Sequence, residues 1–110
     1  MKTGIQVADA LIVNALDSAD IGYWARVPKG CGDHGELLKG NQTATVEEFD
    51  ESTGATTATH TLTAEKVRAG VAVMAAKYPH HMKNLLEDNS DAETGDVLVQ
   101  CSLLGDIVYG

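Results

Sequence analysis

The chain has 110 residues, of which 44% are hydrophobic and 5% aromatic, so it is long enough for one mainly aliphatic core and too short for two. Sixteen acidic residues against eight basic ones give a net charge of −8, which disfavours direct binding to nucleic acid or to an anionic membrane. No apolar run approaches the roughly 20 residues that cross a bilayer. Two cysteines without a secretory signal indicate a cytoplasmic protein with reduced thiols.

The first predicted element is an apolar helix over residues 4–17. Thr3 and Gln6 have the spacing of a capping box, in which side chains bond the free amides of the first helical turn. Apolar residues cover more than one side of this helix, so we expect it to be buried on several sides, either in the centre of the fold or between subunits.

The next segment combines a short strand with a loop. Residues 21–27 alternate between apolar and other side chains, which predicts a strand, although a helical turn is the alternative for the same residues. Residues 28–41 contain four glycines and predict a long loop.

The clearest β pattern lies at residues 43–62, which predict a hairpin. Two threonine-rich arms flank a short polar segment, in which Gly54 can take the positive φ that a hairpin loop requires. Phe49 falls out of phase with the apolar residues before it, which predicts a bulge near Glu47 and Glu48.

Three helices are predicted in the last part of the chain, at residues 64–78, 80–88 and 91–104. Thr63 is placed to cap the first, since its hydroxyl can accept a bond from a first-turn amide. Pro79 ends that helix and can open the next one, because proline fits the first helical turn.

The last of these helices completes the predicted fold. Ser90 and Glu93 have the spacing of a capping box at its start, and Cys101 lies on its apolar stripe, where a small core residue is expected. The chain is therefore predicted to be a single α+β domain over residues 1–110, with three to four helices packed on a short antiparallel β-hairpin or sheet.

A metal site or a catalytic site is only weakly indicated. Cys31 and His34 have the spacing of half a zinc site, which His80 and His81 would complete, but adjacent histidines on a helix point to different sides. Whether these four bind a metal stays open, and no cofactor is predicted. Cys31 is expected to be exposed beside Asp33, whose charge opposes thiolate formation. Without a nucleophile–base pair or a phosphate-binding glycine motif, the protein is predicted not to be an enzyme.

The acidic residues form two runs, one in the hairpin and one around the start of the last helix. Display of negative charge to a basic partner is one interpretation, and solubility of a small domain is the other. Two aromatic residues are candidate anchors for a contact. The candidate contact residues are Glu47, Glu48, Asp50, Glu51, Glu87, Asp88, Asp91, Glu93, Asp96, Tyr23 and Trp24.

Residues 55–110 resemble small accessory proteins encoded by tailed phages and prophages, and residues 15–24 do so more loosely. The resemblance rests on the segments 61–79 and 91–101 and on the ending Gly-Asp-Ile-Val-Tyr-Gly, which indicates a packed terminus. It implies a phage accessory gene but no particular chemistry, because that group has no established activity.

An acidic, phage-like protein without a recognisable catalytic site is expected to bind a host bacterial protein that has a basic surface. Inhibition of a defence system, as by an anti-CRISPR or another nuclease inhibitor, is the specific form of this expectation. Two alternatives remain open. A virion or assembly component would self-associate through the apolar first helix, and a small-ligand sponge would hold a nucleotide signal in a pocket lined by basic residues.

Overall fold

Five helices pack against a three-stranded antiparallel sheet in the computed structural model, which describes residues 7–110. This confirms the predicted α+β class. No helix in these residues is both long and apolar enough to cross a membrane. In chain order the elements are α1 (Asp9–Ser18), β1 (Ala25–Lys29), α2 (His34–Leu38), β2 (Ala44–Phe49), β3 (Thr56–Leu62), α3 (Ala64–Lys77), α4 (Pro79–Leu86) and α5 (Ala92–Leu104).

Helix α5 is the central element. All residues from Thr94 to Cys101 are buried, and α5 contacts α1, α3, α4 and β3. Two of these contacts require glycine: a Cβ on Gly95 would lie 2.3 Å from the carbonyl oxygen of Ala15, and one on Gly70 would lie 2.7 Å from the Cα of Ser102. The backbones of α1 and α3 therefore lie directly against α5, because neither glycine places a side chain between them.

Helix α1 contacts α2, α4 and α5, and Leu11 and Val13 pack half-buried against the core beside its most buried face. This helix starts at Asp9 rather than at residue 4, since Ala8 has an extended backbone with φ −60° and ψ 137°. Its spacing of three and four residues buries one face, formed by Ile12, Ala15 and Leu16. The predicted capping residues Thr3 and Gln6 lie outside the described residues.

The sheet has the order β1-β2-β3, and β2 and β3 form the predicted hairpin. Gly54 takes the predicted positive φ, 75°, and the side chain of Asp50 accepts a hydrogen bond of 2.7 Å from the amide of Ser52. The strand register shifts between Glu48 and Phe49, which confirms the predicted bulge. The bulge and the Asp50 turn together set the direction of the hairpin tip.

The strand predicted at residues 21–27 was wrong for the residues before Ala25. The chain first makes a helical turn, in which the amides of Trp24 and Ala25 donate to the carbonyl of Ile21 at 3.0 and 2.9 Å. Strand β1 starts only at Ala25 and continues through Pro28. Proline is tolerated there because β1 is an edge strand, whose outer amides need no partner in the sheet.

Helix α2 replaces part of the loop predicted at residues 28–41. The side chain of Asp33 caps it by accepting a bond of 2.7 Å from the amide of Gly35 and a longer one from the next amide. The short helix then buries Leu37 and Leu38 in the core. The sequence does contain a pattern typical of a helix start, Asp33 and Glu36 followed by two leucines. The glycines around this pattern favoured the prediction of a loop instead.

The last three helices lie close to their predicted bounds. Thr63 caps α3 by accepting a bond of 3.2 Å from the amide of Lys66, and Pro79 opens α4, both as predicted. Helix α5 is capped by Asp91 rather than by the predicted Ser90, since the Asp91 carboxylate accepts a bond of 2.8 Å from the amide of Thr94.

The segment after α5 folds back onto the domain. Gly105 ends the helix with a φ of 78°. The side chain of the fully buried Gln100 then accepts bonds from the amides of Val108 and Tyr109 at 2.8 and 2.9 Å, and donates to the Tyr109 carbonyl at 3.1 Å. The Tyr109 ring stacks on Trp24 with 5.0 Å between centroids. One glutamine thus provides the backbone partners that a neighbouring strand would otherwise supply.

Candidate functional site: an acidic surface around Tyr23

Tyr23 is held in the turn before β1 with its ring partly in solvent. The residue is 47% exposed, while its hydroxyl donates to the carboxylate of Asp96 in α5 and lies 3.4 Å from the Nε2 atom of Gln100. Burial of the hydroxyl, reinforced by the negative Asp96, raises the pKa of Tyr23 to about 12. The phenol therefore stays protonated at neutral pH, and its bond to Asp96 fixes the ring at the surface.

Asp96 is the buried acceptor that holds the Tyr23 hydroxyl in place. It is 7% exposed and also accepts bonds from the Nε1 atom of Trp24 at 2.8 Å and from Gln100 at 3.0 Å. Among residues 7–110, no lysine or arginine forms an ion pair with it. The prediction that Asp96 and Trp24 contact a partner is not supported, because both are buried and Trp24 is only 1% exposed. They position Tyr23 instead.

A groove of about 520 Å³ extends from Tyr23 to the hairpin tip. Its lining includes the aromatic residues Phe49 and Tyr109 and the exposed acidic residues Asp50 and Glu51. Aromatic faces and carboxylates both attract cations, the former through the ring quadrupole and the latter through charge. Arg26 already lies over the Phe49 ring, with 4.8 Å between its guanidinium carbon and the ring centroid. The groups of the groove that are suited to a lysine or arginine of a partner are therefore the carboxylates of Asp50 and Glu51 and the exposed Tyr23.

Two smaller depressions also adjoin Tyr23. One, of about 260 Å³, is lined by Asp20 and Glu93, and the other, of about 140 Å³, by Glu93 and His81. We use the name Tyr23 surface for Tyr23 together with its surrounding exposed acids Asp20, Asp50, Glu51 and Glu93. This surface brings together members of both predicted acidic runs.

Of the remaining acids of the hairpin run, Glu48 has hydrogen-bond partners within the domain. Glu48 is half-buried, accepts a bond from the Tyr109 hydroxyl and lies 2.6 Å from the Nε2 atom of His60. These two bonds, the Tyr109 bond first, hold the pKa of Glu48 below its usual value. Glu47 is also half-buried and lies opposite Arg26 in the sheet. We therefore assign Glu48 to anchoring the terminal segment rather than to a partner contact.

The remaining acids of the second run lie away from the three depressions. Asp91 is used as the cap of α5, and its bond to the Thr94 amide keeps its pKa below the usual value. Glu87 and Asp88 are exposed in the turn after α4, where Asp88 accepts a bond of 2.9 Å from the side chain of Asn14. Of the second run, only Glu93 is an exposed part of the Tyr23 surface.

The four candidate zinc ligands do not form a metal set. His81 contacts Thr94, with 3.0 Å between Nδ1 and Oγ1, and its ring packs edge-on against His80. Cys31 and His34 line a separate cavity. Over the described part of the chain, no group of three or more His, Cys, Asp or Glu side chains is arranged to hold a metal ion.

The two thiols have different surroundings. Cys101 is buried on α5 as predicted, and burial raises its pKa to about 11, so it is an unreactive core residue. Cys31 is half-buried rather than exposed as predicted, because the connection from β1 to α2 places it against the wall of that separate cavity.

The sequence did not predict the roles of Asp20, Phe49 and Tyr109 in this surface. Tyr109 lies 86 positions from Tyr23, so no local pattern relates them. The terminal motif gave the one usable signal, since it indicated a packed terminus without showing what it packs against.

Comparisons with known proteins provide no further assignment: no family model, no curated protein and no solved structure matches the chain. A function therefore has to be inferred from the Tyr23 surface and its charge. The likeness of residues 55–110 to phage proteins remains an interpretation of the sequence.

Proposed function

We propose that this protein acts by binding a basic surface of a host bacterial protein, as a phage-encoded inhibitor of a defence nuclease such as an anti-CRISPR, and that it does so without catalysis. The observation that carries this proposal is the Tyr23 surface, in which a half-exposed, hydrogen-bonded tyrosine is surrounded by four exposed acids. Nucleases that handle DNA or RNA have basic clefts, which are complementary to such a surface.

The charge of the Tyr23 surface is poorly compensated from within the domain. The described residues contain three ion pairs between acids and lysine or arginine, at Glu36, Asp9 and Asp106, and none of these acids belongs to the surface. Electrostatic attraction between such a surface and a basic partner accelerates association, and salt weakens it, since exposed charges are screened over about 8 Å at physiological ionic strength.

Tyr23 also has the properties of an anchor residue. Tyrosine is enriched among the residues that dominate binding energy, and it has few side-chain torsions to fix on binding. The bond from its hydroxyl to Asp96 fixes the ring before any partner arrives. Because less conformational freedom is lost on association, this arrangement favours binding.

The alternative functions receive less support. Self-association through the first helix would need an exposed apolar face, but the large apolar side chains that are exposed in residues 7–110 (Tyr23, Val27, Leu86 and Val108) do not lie on α1. A nucleotide sponge would need basic residues around its ligand. No lysine or arginine lines the Tyr23 depressions or the separate cavity of Cys31 and His34.

The test uses bacterial strains that each carry one active CRISPR or restriction nuclease. The protein is expressed in each strain, and the plating efficiency of a targeted phage is measured. Where protection is found, the nuclease is purified and its association rate with the protein is measured as a function of salt. Absence of protection and of nuclease binding across the panel would contradict the anti-defence proposal.

Matched charge reversals then locate the contact. The variant Glu51→Lys with Glu93→Lys changes the Tyr23 surface. The control is Glu65→Lys with Glu87→Lys: Glu65, like Glu93, is an exposed residue in the first turn of a helix, and Glu87, like Glu51, is an exposed residue in a turn. Both variants bring the net charge from −8 to −4. We expect the first pair to slow association at least about tenfold and the control to have a much smaller effect. Equal losses would show that net charge, and not this surface, governs binding.

A further inference from the structure

The three-stranded sheet has two edges, and only one of them is protected against pairing with another strand. Strand β1 carries Pro28, which has no amide to donate, between the charged residues Arg26 and Lys29. Proline and charged side chains are usual means by which proteins keep an edge from pairing. Strand β3, at the other edge, has the sequence Thr-Thr-Ala-Thr-His-Thr-Leu and contains no proline, lysine, arginine or acidic residue. Its edge is therefore open to a further strand.

The backbone along the outer edge of β3 has no partner within the part of the chain that the structure describes. There β3 pairs with β2 alone, and its backbone groups form no hydrogen bond with any other element. Four of its seven residues, Thr56, Thr57, Thr59 and Thr61, are exposed. Because every second residue of a strand directs both its amide and its carbonyl to the same side, this edge offers about three such residues to an added strand.

Strand β3 is complementary to a second copy of itself. In a two-fold symmetric antiparallel pair, each residue faces a residue of the same strand, so a strand rich in one charge would repel its copy. Strand β3 has no acid, lysine or arginine, and its one histidine, His60, lies 2.6 Å from the carboxylate of Glu48 in its own sheet. The exposed Thr59 and Thr61 would meet threonines of the second copy, and threonine pairs stabilise neighbouring strands.

The net charge of −8 does not oppose this pairing, because the acidic hairpin tips of the two copies lie far apart. In an antiparallel pair, the tip of each copy, with Asp50 and Glu51, lies at the end where α3 of the other copy begins. Seven residues at about 3.4 Å each separate the two tips by about 24 Å, roughly three times the screening distance of about 8 Å in physiological salt. The exposed Glu65 and Lys66 at the start of α3 cancel in charge, so each tip meets the positive end of a helix dipole.

We propose that two copies of this chain pair through the outer edges of β3, antiparallel and with two-fold symmetry, so that their sheets join into one sheet of six strands. The edges that remain outside are the two β1 strands, which Pro28 and its charged neighbours protect, so the assembly ends at two chains. The proposal is independent of the proposed inhibitory function, because the residues of the Tyr23 surface lie outside β3 and the test uses no host protein. Failure of one proposal therefore leaves the other intact.

The first experiment measures the mass of the purified full chain by analytical ultracentrifugation over about a hundredfold range of concentration, up to about 100 μM. We expect the mass to rise from one chain to two and no further. Hydrogen–deuterium exchange of the same samples locates the contact: amides of β3 should exchange at least about tenfold more slowly in the dimer than in the monomer, and amides of β1 equally fast in both. A chain that stays monomeric throughout would overturn the proposal and leave this edge to a strand of another protein. A dimer with unchanged exchange in β3 would overturn it as well.

Matched substitutions on the two edges test the pairing directly. Thr59→Lys places a charge in the middle of β3, where two lysines of the paired copies would repel each other. Val27→Lys is the control, because Val27 is exposed on the other edge strand and the change in net charge is the same. We expect Thr59→Lys to raise the dissociation constant of the dimer at least about tenfold, and Val27→Lys to change it less than about threefold. Circular dichroism confirms that each variant is folded. Equal effects of the two folded variants would show that the copies do not pair through β3, and the proposal would fail.

Discussion

Removal of the Tyr109 side chain is expected to loosen the buried centre of the domain as well as the terminal segment. In the native fold this ring stacks on Trp24 at 5.0 Å, and its hydroxyl donates to Glu48. A stacked aromatic pair contributes about 0.5–1.5 kcal/mol beyond its buried area, and a hydrogen bond to a charged group about 1.5–3 kcal/mol. Because Tyr109 is only half-buried, we take the lower part of the summed range and expect Tyr109→Ala to reduce the free energy of unfolding by about 2–3 kcal/mol.

The matched variant Tyr109→Phe separates the two contributions. It keeps the stacked ring and removes only the hydroxyl that bonds Glu48, so it should lose about 1.5–2 kcal/mol. Urea unfolding followed by circular dichroism gives both values. Trp24, the single tryptophan, adds an independent readout, because it is 1% exposed in the native protein and its emission should shift to longer wavelength only in the alanine variant.

Two outcomes would refute this reasoning. Equal stability of the alanine and phenylalanine variants would show that stacking on Trp24 contributes nothing. An alanine variant that unfolds within about 0.5 kcal/mol of the original chain, with unchanged Trp24 emission, would show that the terminal segment does not cover Trp24 in solution.

Two further predictions concern helix packing and acid stability. Gly95→Ala should reduce the free energy of unfolding by about 1–3 kcal/mol or more, because the added Cβ would lie 2.3 Å from a backbone oxygen of α1. The control Gly32→Ala, whose Cβ would have no atom within 4 Å, should change this free energy by less than about 0.5 kcal/mol. Urea unfolding measures both values. Bonds from Tyr78 and Lys77 lower the pKa of Asp106 from 3.8 to about 2, so this carboxylate stabilises the fold above pH 3.8 and that contribution is lost as the pH falls toward 2. Asp106→Asn should therefore flatten the fall of stability between pH 4 and pH 2, which urea unfolding at a series of pH values would show, and an unaltered slope would contradict the assignment.

Features that depend on neighbouring residues could be predicted from the sequence. Thr63 as a cap, Pro79 at a helix start and Gly54 in the hairpin loop each follow from the geometry of a single turn, and the structure has all three. Helix α2 also had a local signal, in Asp33 and Glu36, but four glycines nearby favoured a loop.

The site itself depends on contacts between distant residues. Asp96 was predicted to be part of an exposed acidic run, and only the approach of Trp24, 72 positions away, shows that it is a buried acceptor. The pairing of Asp17 with His34 arises in the same way, because two helices that are separate in sequence meet there. Local patterns predict which residues are charged or apolar, but the packing of helices determines which of them meet.

The position of α5 in the chain has a consequence for synthesis in the cell. The elements that pack around it, α1, α3 and β3, all leave the ribosome earlier, since α5 starts only at Ala92. Until α5 follows, Ile12 of α1 and Val67 of α3 lack the helix that buries their side of the core. Folding of this domain is therefore expected to finish after translation of α5, and a stalled nascent chain that lacks this helix should be a target for chaperones.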